Sequence, residues 1–343
     1  MILSGPRRAL LGLAAAALAL PLLAACGGGS DSADGPLTIY SGRSEELVGP
    51  LFALFTEQTG VAVEARYGDT AELAAQLLEE GDASPAQVFF AQDAGALGAV
   101  DAAGLFAPLP ASVQTTVPQD YRAANGDWTG VTGRARVIAY DAEQVPAAEV
   151  PQSVFDLTDP KWKGQVAIAP TNASFQAFVT AMRVSQGDEV AKQWLEGMVA
   201  NDVQTYEKNA LILDAVDTGQ AQLGLVNHYY WYEKAAEIGA DAMRAQIAFT
   251  KPDDPGSLVN VAGVGILTGA ADNPNAAKFV EWLLTPETQA WFVENTWEYP
   301  LLPSVAAAEG LPALDTLRGP DVALAELADL PGTLAMLEDV GLI

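Results

Sequence analysis

Hydrophobic and polar positions change period several times along this chain. In "PLTIYSGRSEELVGPLFALFTEQTGVAVEARYG", the run from Leu37 to Tyr40 predicts a strand. Leu47, Val48, Leu51, Phe52 and Phe55 then recur at helical spacing, behind a cap at Ser44 with Glu45 and Glu46 in the first turn. Pro50 removes a helical donor, so this helix is expected to start late or to kink. "GVAVEARYG" predicts a second strand, and Thr70 to Glu80 a helix stopped by Gly81. "SPAQVFFAQDAGALGAV" continues with the strand "QVFFA" and another helix. Strands alternating with helices imply a mostly parallel sheet with both faces covered.

Two longer runs interrupt that rhythm. "WTGVTGRARVIAYD" and "SLVNVAGVGILTG" are β-rich with no helical period, long enough to leave one lobe for another and to return. Between them lies a second αβ series. It comprises "WKGQVAIAP", a helix from about Ala173, a helix with Val190, Trp194 and Met198 on one face, and "AQLGLV" running into "NHYYWY". After the return, "NPNAAKFVEWLLTPETQAWFVEN" reads as paired helices with Pro286 near the start of the second. The predicted architecture is α/β and two-lobed, with a hinge of crossing strands and a cleft between the lobes. Residues 37–133 and 260–305 form the first lobe and 134–259 the second, and 306–343 is a C-terminal helical tail.

The amino end has another character. Arg7 and Arg8 precede the apolar "ALLGLAAAALALPLLAA", and "LAAC" ends at Cys26, matching the lipobox of bacterial lipoproteins. Residues 1–26 therefore read as a lipoprotein signal whose cysteine becomes lipidated, with Sec and twin-arginine export both open. Residues 27–36 read as a Gly- and Ser-rich tether that would hold an extracytoplasmic body to the cell membrane. The net charge is −27, or −29 once the two arginines are removed. Such a body repels nucleic acid and anionic lipid.

The inventory narrows the chemistry. Cys26 is the only cysteine and His228 the only histidine, which excludes an internal disulfide, a zinc ribbon and a His-rich metal helix. His228 reads as a packing or hydrogen-bonding residue. No G-x-S-x-G elbow or phosphate-binding glycine loop occurs. Tyr229 and Tyr230 remain, adjacent at a strand end that runs into a helix, which is where open αβ sheets bind ligands. Two neighbouring phenols fit a hard trivalent cation, which drives off their protons and leaves one positive charge for an anion or a carboxylate. Ordinary aromatic packing is the other reading of that pair. Asn172, before the helix in "APTNASFQAF", can cap it and leave free N–H groups that attract an anion, or can be a cap and nothing more.

Taken in order, "IYSGRSEELV", "GDASPAQVFFAQDAGAL", "LFAPLP", "GVTGRARVIAYD", "WKGQVAIAPTNASFQAFV", "LVNHYYWYEK", "DPGSLVNVAGVGIL" and "EYPLLPSV" resemble the ferric-ion-binding proteins over nearly the whole mature length. These are the transferrin-like solute receptors of bacterial iron ABC transporters. The resemblance implies Tyr229 and Tyr230 as Fe³⁺ ligands, and an anion (carbonate, phosphate or citrate) seated at Asn172, Ala173 and Ser174 with help from Asn209 and Asn227. It implies permease and ATPase subunits as partners, a monomeric receptor and no catalysis. Some members carry a histidine at the position of Ser44 and a glutamate at that of Gln92, and others add a tyrosine near that of Phe175. This chain lacks all three, which leaves weak first-lobe donors or none. Arg43, Gln92 and Asp93 are then candidates for hydrogen bonds to the metal's water or anion, and Glu45 for a substitute carboxylate. The rival readings are a receptor of this type for a polyamine, thiamine or an oxyanion, and an anchored hydrolase.

Overall fold

The computed structural model describes residues 35–343, so Cys26 and most of the tether lie outside the described residues. The first half is built from β1 (Leu37–Ser41), α1 (Glu45–Thr59), β2 (Val63–Tyr67), α2 (Thr70–Glu80), β3 (Val88–Ala91), α3 (Ala94–Ala102) and β4 (Phe106–Ala107). β1 pairs in parallel with β2 and β3, as the alternation predicts. Pro50 sits inside an uninterrupted α1, because at an exposed position it forfeits one hydrogen bond without meeting a packed neighbour. Ser44 precedes α1 in extended conformation, but its side chain makes no capping bond. α2 is capped by Asp69, whose carboxylate accepts from the N–H groups of Ala71 and Glu72.

The chain then enters β5 (Trp128–Asp141), the longest strand. The second half follows with β6 (Val166–Ile168), α4 (Ala173–Gln186), α5 (Asp188–Ala200), β7 (Gln204–Thr205), α6 (Asn209–Asp217), β8 (Leu223–Asn227), α7 (Tyr229–Ile238) and β9 (Ala245–Ala248). β10 (Val259–Leu267) returns to the first half, followed by α8 (Pro274–Leu283), α9 (Pro286–Thr296), β11 (Tyr299–Pro300) and α10 (Leu330–Asp339). The strand order is β2-β1-β3-β10-β5-β8-β6-β7. β5 joins the two halves. Its start lies antiparallel to β10, with Trp128 opposite Gly265 and Ala135 opposite Val259, and its end lies antiparallel to β8, with Arg136 opposite Asn227. The fold is therefore a two-lobed αβ architecture with β5 and β10 at the crossing.

Each lobe has its own core. Phe55 meets Phe279 edge to face at 5.1 Å in the first, and Phe178 meets Trp194 at 5.4 Å in the second. Fully burying such side chains stabilises by about 1.5–3 kcal/mol each. Val190 departs from the predicted apolar face of α5: it is exposed, while Ala191, Trp194, Leu195 and Met198 are buried.

The tail also departs from expectation. It is mostly irregular or 3₁₀ until α10, in keeping with prolines at 303, 312, 320 and 331. It ties the lobes together. Leu324 and Leu327 enter the first-lobe core, and Leu337 of α10 enters the second. Where the tail crosses α3, a Cβ on Gly95 would lie 2.6 Å from the carbonyl oxygen of Leu327, so that close approach requires glycine. On the other side, Arg183 of α4 donates to the Asp329 carboxylate at 2.9 Å and to its carbonyl at 3.1 Å, and Thr180 shares a 2.7 Å hydrogen bond with Thr333.

Candidate metal and anion site

β8 ends at Asn227, and α7 begins two residues later with the tyrosine pair. The rings of Tyr229 and Tyr230 stack with centroids 4.3 Å apart and planes 29° off parallel. Tyr229 is buried and Tyr230 half-buried. Burial pushes the Tyr229 phenol well above its ordinary pKa, and Tyr230 adds to this while Arg134 and Arg43 oppose it. The phenol is thus held protonated at neutral pH.

The other aromatic residues of the cluster are structural. Trp231 donates its Nε1–H to the Ala245 carbonyl at 2.7 Å, and Tyr232 stacks on Trp297. His228 is fully buried. Its Nδ1 accepts from the Ala135 N–H at 3.2 Å and its Nε2 lies 2.8 Å from the Trp297 carbonyl, so the proton belongs on Nε2. Burial drives its pKa down to about 4. The ring is a neutral stitch between β5, α7 and the segment before β11.

A polar nest adjoins the pair. Asn172 caps α4, its Oδ1 accepting from the Ser174 N–H at 3.1 Å and the Ser174 hydroxyl at 2.6 Å. Asn209 Nδ2 donates to Asn172 Oδ1 at 3.2 Å and to Ser174 Oγ at 3.3 Å. Ala173 is the first residue of α4. Arg136, which sequence reasoning missed, donates from Nη2 to Ser174 Oγ at 3.0 Å. Its cross-strand partner Asn227 shares its face of the sheet. Buried atoms here lack any protein partner: Arg136 Nη1, Asn209 Oδ1 and Asn227 Nδ2. Buried polar groups are almost always hydrogen-bonded; here Arg136 Nη1 and Asn227 Nδ2 are donors without an acceptor, and Asn209 Oδ1 is an acceptor without a donor. Burial, with Arg134 adding to it, lowers the Arg136 pKa to about 9.

Arg134, also missed, lies two residues earlier on the same face of β5, and none of its three guanidinium nitrogens has a protein partner. The first lobe adds a third guanidinium. Arg43 is buried in a bidentate pair with Glu298, both contacts 2.9 Å, and Glu298 also accepts from Thr132 at 3.1 Å and Thr296 at 3.2 Å. Arg43 lies within electrostatic reach of both tyrosines.

The remaining first-lobe candidates diverge. Ser44 and Glu45 are exposed, and the charge of Glu45 acts on Tyr67. Gln92 is half-buried, with its N–H bonded to Thr70 Oγ1. Asp93 is buried and caps α3 by accepting from the Ala96 N–H at 3.1 Å, close enough to Arg134 for the charges to interact. One further carboxylate went unnoticed in the sequence. Glu233 of α7 is half-buried, and burial, with Glu298 adding to it and Arg43 opposing, raises its pKa to about 7.

A cavity of about 1220 Å³ elsewhere, between Tyr121, Tyr299 and the tail, is lined mainly by Leu, Pro and Ala. It holds neither the tyrosine pair nor the unpartnered guanidiniums, and the chemistry assigns the site to the latter.

Residues 83–323 match the family described as bacterial extracellular solute-binding protein. The chain is 34% identical to the Fe(3+)-binding periplasmic protein of Serratia marcescens, over 91% of this chain and 92% of the relative. It is 33% identical to the major ferric iron-binding protein of Neisseria meningitidis serogroup B, over 94% and 97%. Among solved structures, iron-bound HitA from Pseudomonas aeruginosa superposes with a TM-score of 0.85 at 32% identity, covering 90% of this chain and 99% of HitA. Trichodesmium IdiA (FutA), in complex with iron and citrate ligands, superposes with a TM-score of 0.76 at 28% identity, covering 90% and 99%.

Proposed function

Because the chain belongs to the bacterial extracellular solute-binding proteins, and within them to the ferric-ion-binding group, we propose that it is an extracytoplasmic receptor that captures Fe³⁺ through Tyr229 and Tyr230 with a synergistic anion. It passes the ion to an ABC permease and ATPase for iron uptake and catalyses nothing. The observation that carries this reading is the juxtaposition of two stacked phenols with a nest of unpartnered buried polar atoms. Two phenolates offset two of the three charges of Fe³⁺. The anion takes its hydrogen bonds from Arg136, Asn227 and the Ala173 N–H at the start of α4, beside Ser174, whose own donors are held by Asn172 and whose hydroxyl oxygen accepts from Asn209 and Arg136.

The two guanidiniums without an acidic partner, Arg134 and Arg136, disfavour a polyamine or thiamine, because like charges in a desolvated site repel strongly. The same guanidiniums favour an oxyanion, which makes a receptor for an oxyanion alone the second reading. Iron on tyrosinate absorbs visible light and an oxyanion complex does not. The purified protein should therefore turn coloured with ferric iron, and Tyr229→Phe and Tyr230→Phe should each lose most of the band and the affinity while melting as wild type does. A colourless protein that still binds phosphate would favour the oxyanion, and full colour in both variants would refute the tyrosine site.

In the same reading Cys26 carries a lipid that holds the monomeric receptor to the membrane. Membrane fractionation and the mass of the amino-terminal peptide test this, and an unmodified cysteine in a soluble fraction refutes it.

A further inference from the structure

The carboxylates around the cleft differ in whether they are free to meet a cation. Glu298 is spent on Arg43, Thr132 and Thr296. Asp93 is buried as the cap of α3. Glu45 is exposed and acts on Tyr67. Glu233 is half-buried, yet it makes no hydrogen bond or ion pair among the described residues.

Its place on the helix matters as much as its freedom. Successive residues of an α-helix turn by about 100°. Glu233, four residues after Tyr229 and three after Tyr230, therefore projects between the two phenols one turn along. Helical side chains lean toward the N-terminus, so Glu233 covers the turn that begins with the tyrosines. Spacings of three and four are those by which helices present paired side chains to a single metal. The surroundings agree: the charge of Arg43 acts on Tyr229, Tyr230 and Glu233 alike, so all three lie within electrostatic reach of one guanidinium.

We propose that Glu233 is a third protein ligand for the ferric ion, supplied from the tyrosine helix itself; this rests on the reading of the tyrosine pair given above. Two phenolates and one carboxylate neutralise Fe³⁺ from a single lobe. The anion then completes the coordination shell without having to balance charge, and a chain with Ser44 and Gln92 in the first lobe still offers three anionic ligands.

The test is iron titration of wild type, Glu233→Gln and Glu233→Asp, with affinity read by competition against a hydroxamate chelator and the visible band recorded, in carbonate and in phosphate. Glu233→Gln keeps the shape of the side chain and removes its charge. It should lower affinity by about a hundredfold, since losing even an outer-shell partner typically costs 10–100-fold. It should also move the band and make binding depend more steeply on the anion, while Glu233→Asp recovers part of the loss. Thermal melting without iron should be unchanged or higher in Glu233→Gln, because a desolvated charge is gone. A wild-type band with unchanged affinity and colour in Glu233→Gln overturns the assignment and leaves the tyrosine site standing. A wild type without any band overturns both.

Discussion

Arg134 offers the sharpest separation between stability and function. It is buried, with three unpartnered nitrogens; burial is the largest influence on its charge, Arg43 and Arg136 repel it, and Glu298, Tyr229 and Asp93 favour it. Burial first, and Arg43 next, lower the Arg134 pKa from its ordinary value. In Arg134→Met the stem and its packing survive and the charge disappears. An unsatisfied buried polar group costs about 1–3 kcal/mol, and more when charged. The iron-free variant should gain about that much. In chains of 150–250 residues each kcal/mol moves the melting temperature by about 2–4 °C, and in a longer chain by no more than about 2 °C, so a rise of a few degrees, at most about 6 °C, is expected. Iron binding should move the other way, because in the proposed site the same guanidinium attracts the anion and the phenolates. The assay is calorimetry of wild type and variant, iron-free and iron-loaded: the variant should melt higher when empty and gain less on loading. An empty variant that melts lower, with an undiminished gain on loading, would show that Arg134 serves the fold through contacts with Asp93 and Glu298.

Glu298→Gln should destabilise the protein by about 3–5 kcal/mol, because it strands Arg43 in a buried site. Chemical denaturation should show Arg43→Met in the same chain recovering much of that loss, and additive losses would refute the pairing. His228 gives a pH dependence. Its folded pKa of about 4 lies below the ordinary 6.5, so as acid is added the unfolded chain takes up the proton first. The stability it contributes is complete above about 6.5 and is lost as pH falls toward 4, roughly 3 kcal/mol in all. Melting temperatures between about pH 7.5 and 4.5 should fall more steeply for wild type than for His228→Gln, and parallel profiles would refute the neutral buried ring.

Much of the frame could be read from the chain because its signals are local. The two β-rich runs became β5 and β10, the helix predicted from Ala173 starts there, and the tyrosines stand at the start of α7. Asn172 could be read as a cap because capping acts over two residues. Arg43 and Glu298 lie 255 positions apart, so only the fold could reveal that a cleft candidate is held by a distant carboxylate. Arg134 and Arg136 did carry a signal: two cations in alternation within an otherwise apolar strand, which places both on one face. Glu233 was hidden by its commonness, since a glutamate on a helix is usually solvated. The tail was misread for the opposite reason, its apolar residues serving two lobes instead of one amphipathic helix.

That tail makes the C-terminus part of the moving machinery. A two-lobed trap is usually pictured as two jaws on a flexible pin, with the chain ends as bystanders. Here a brace runs from Leu324 and Leu327 on one jaw to Thr333 and Leu337 on the other, so the jaws share a third attachment outside the crossing strands. Opening the cleft must stretch this brace or peel one of its feet. Any tag, fluorescent reporter or surface linker fused after Ile343 therefore attaches six residues beyond Leu337, next to one foot of the brace, so affinities measured on such fusions call for an untagged control.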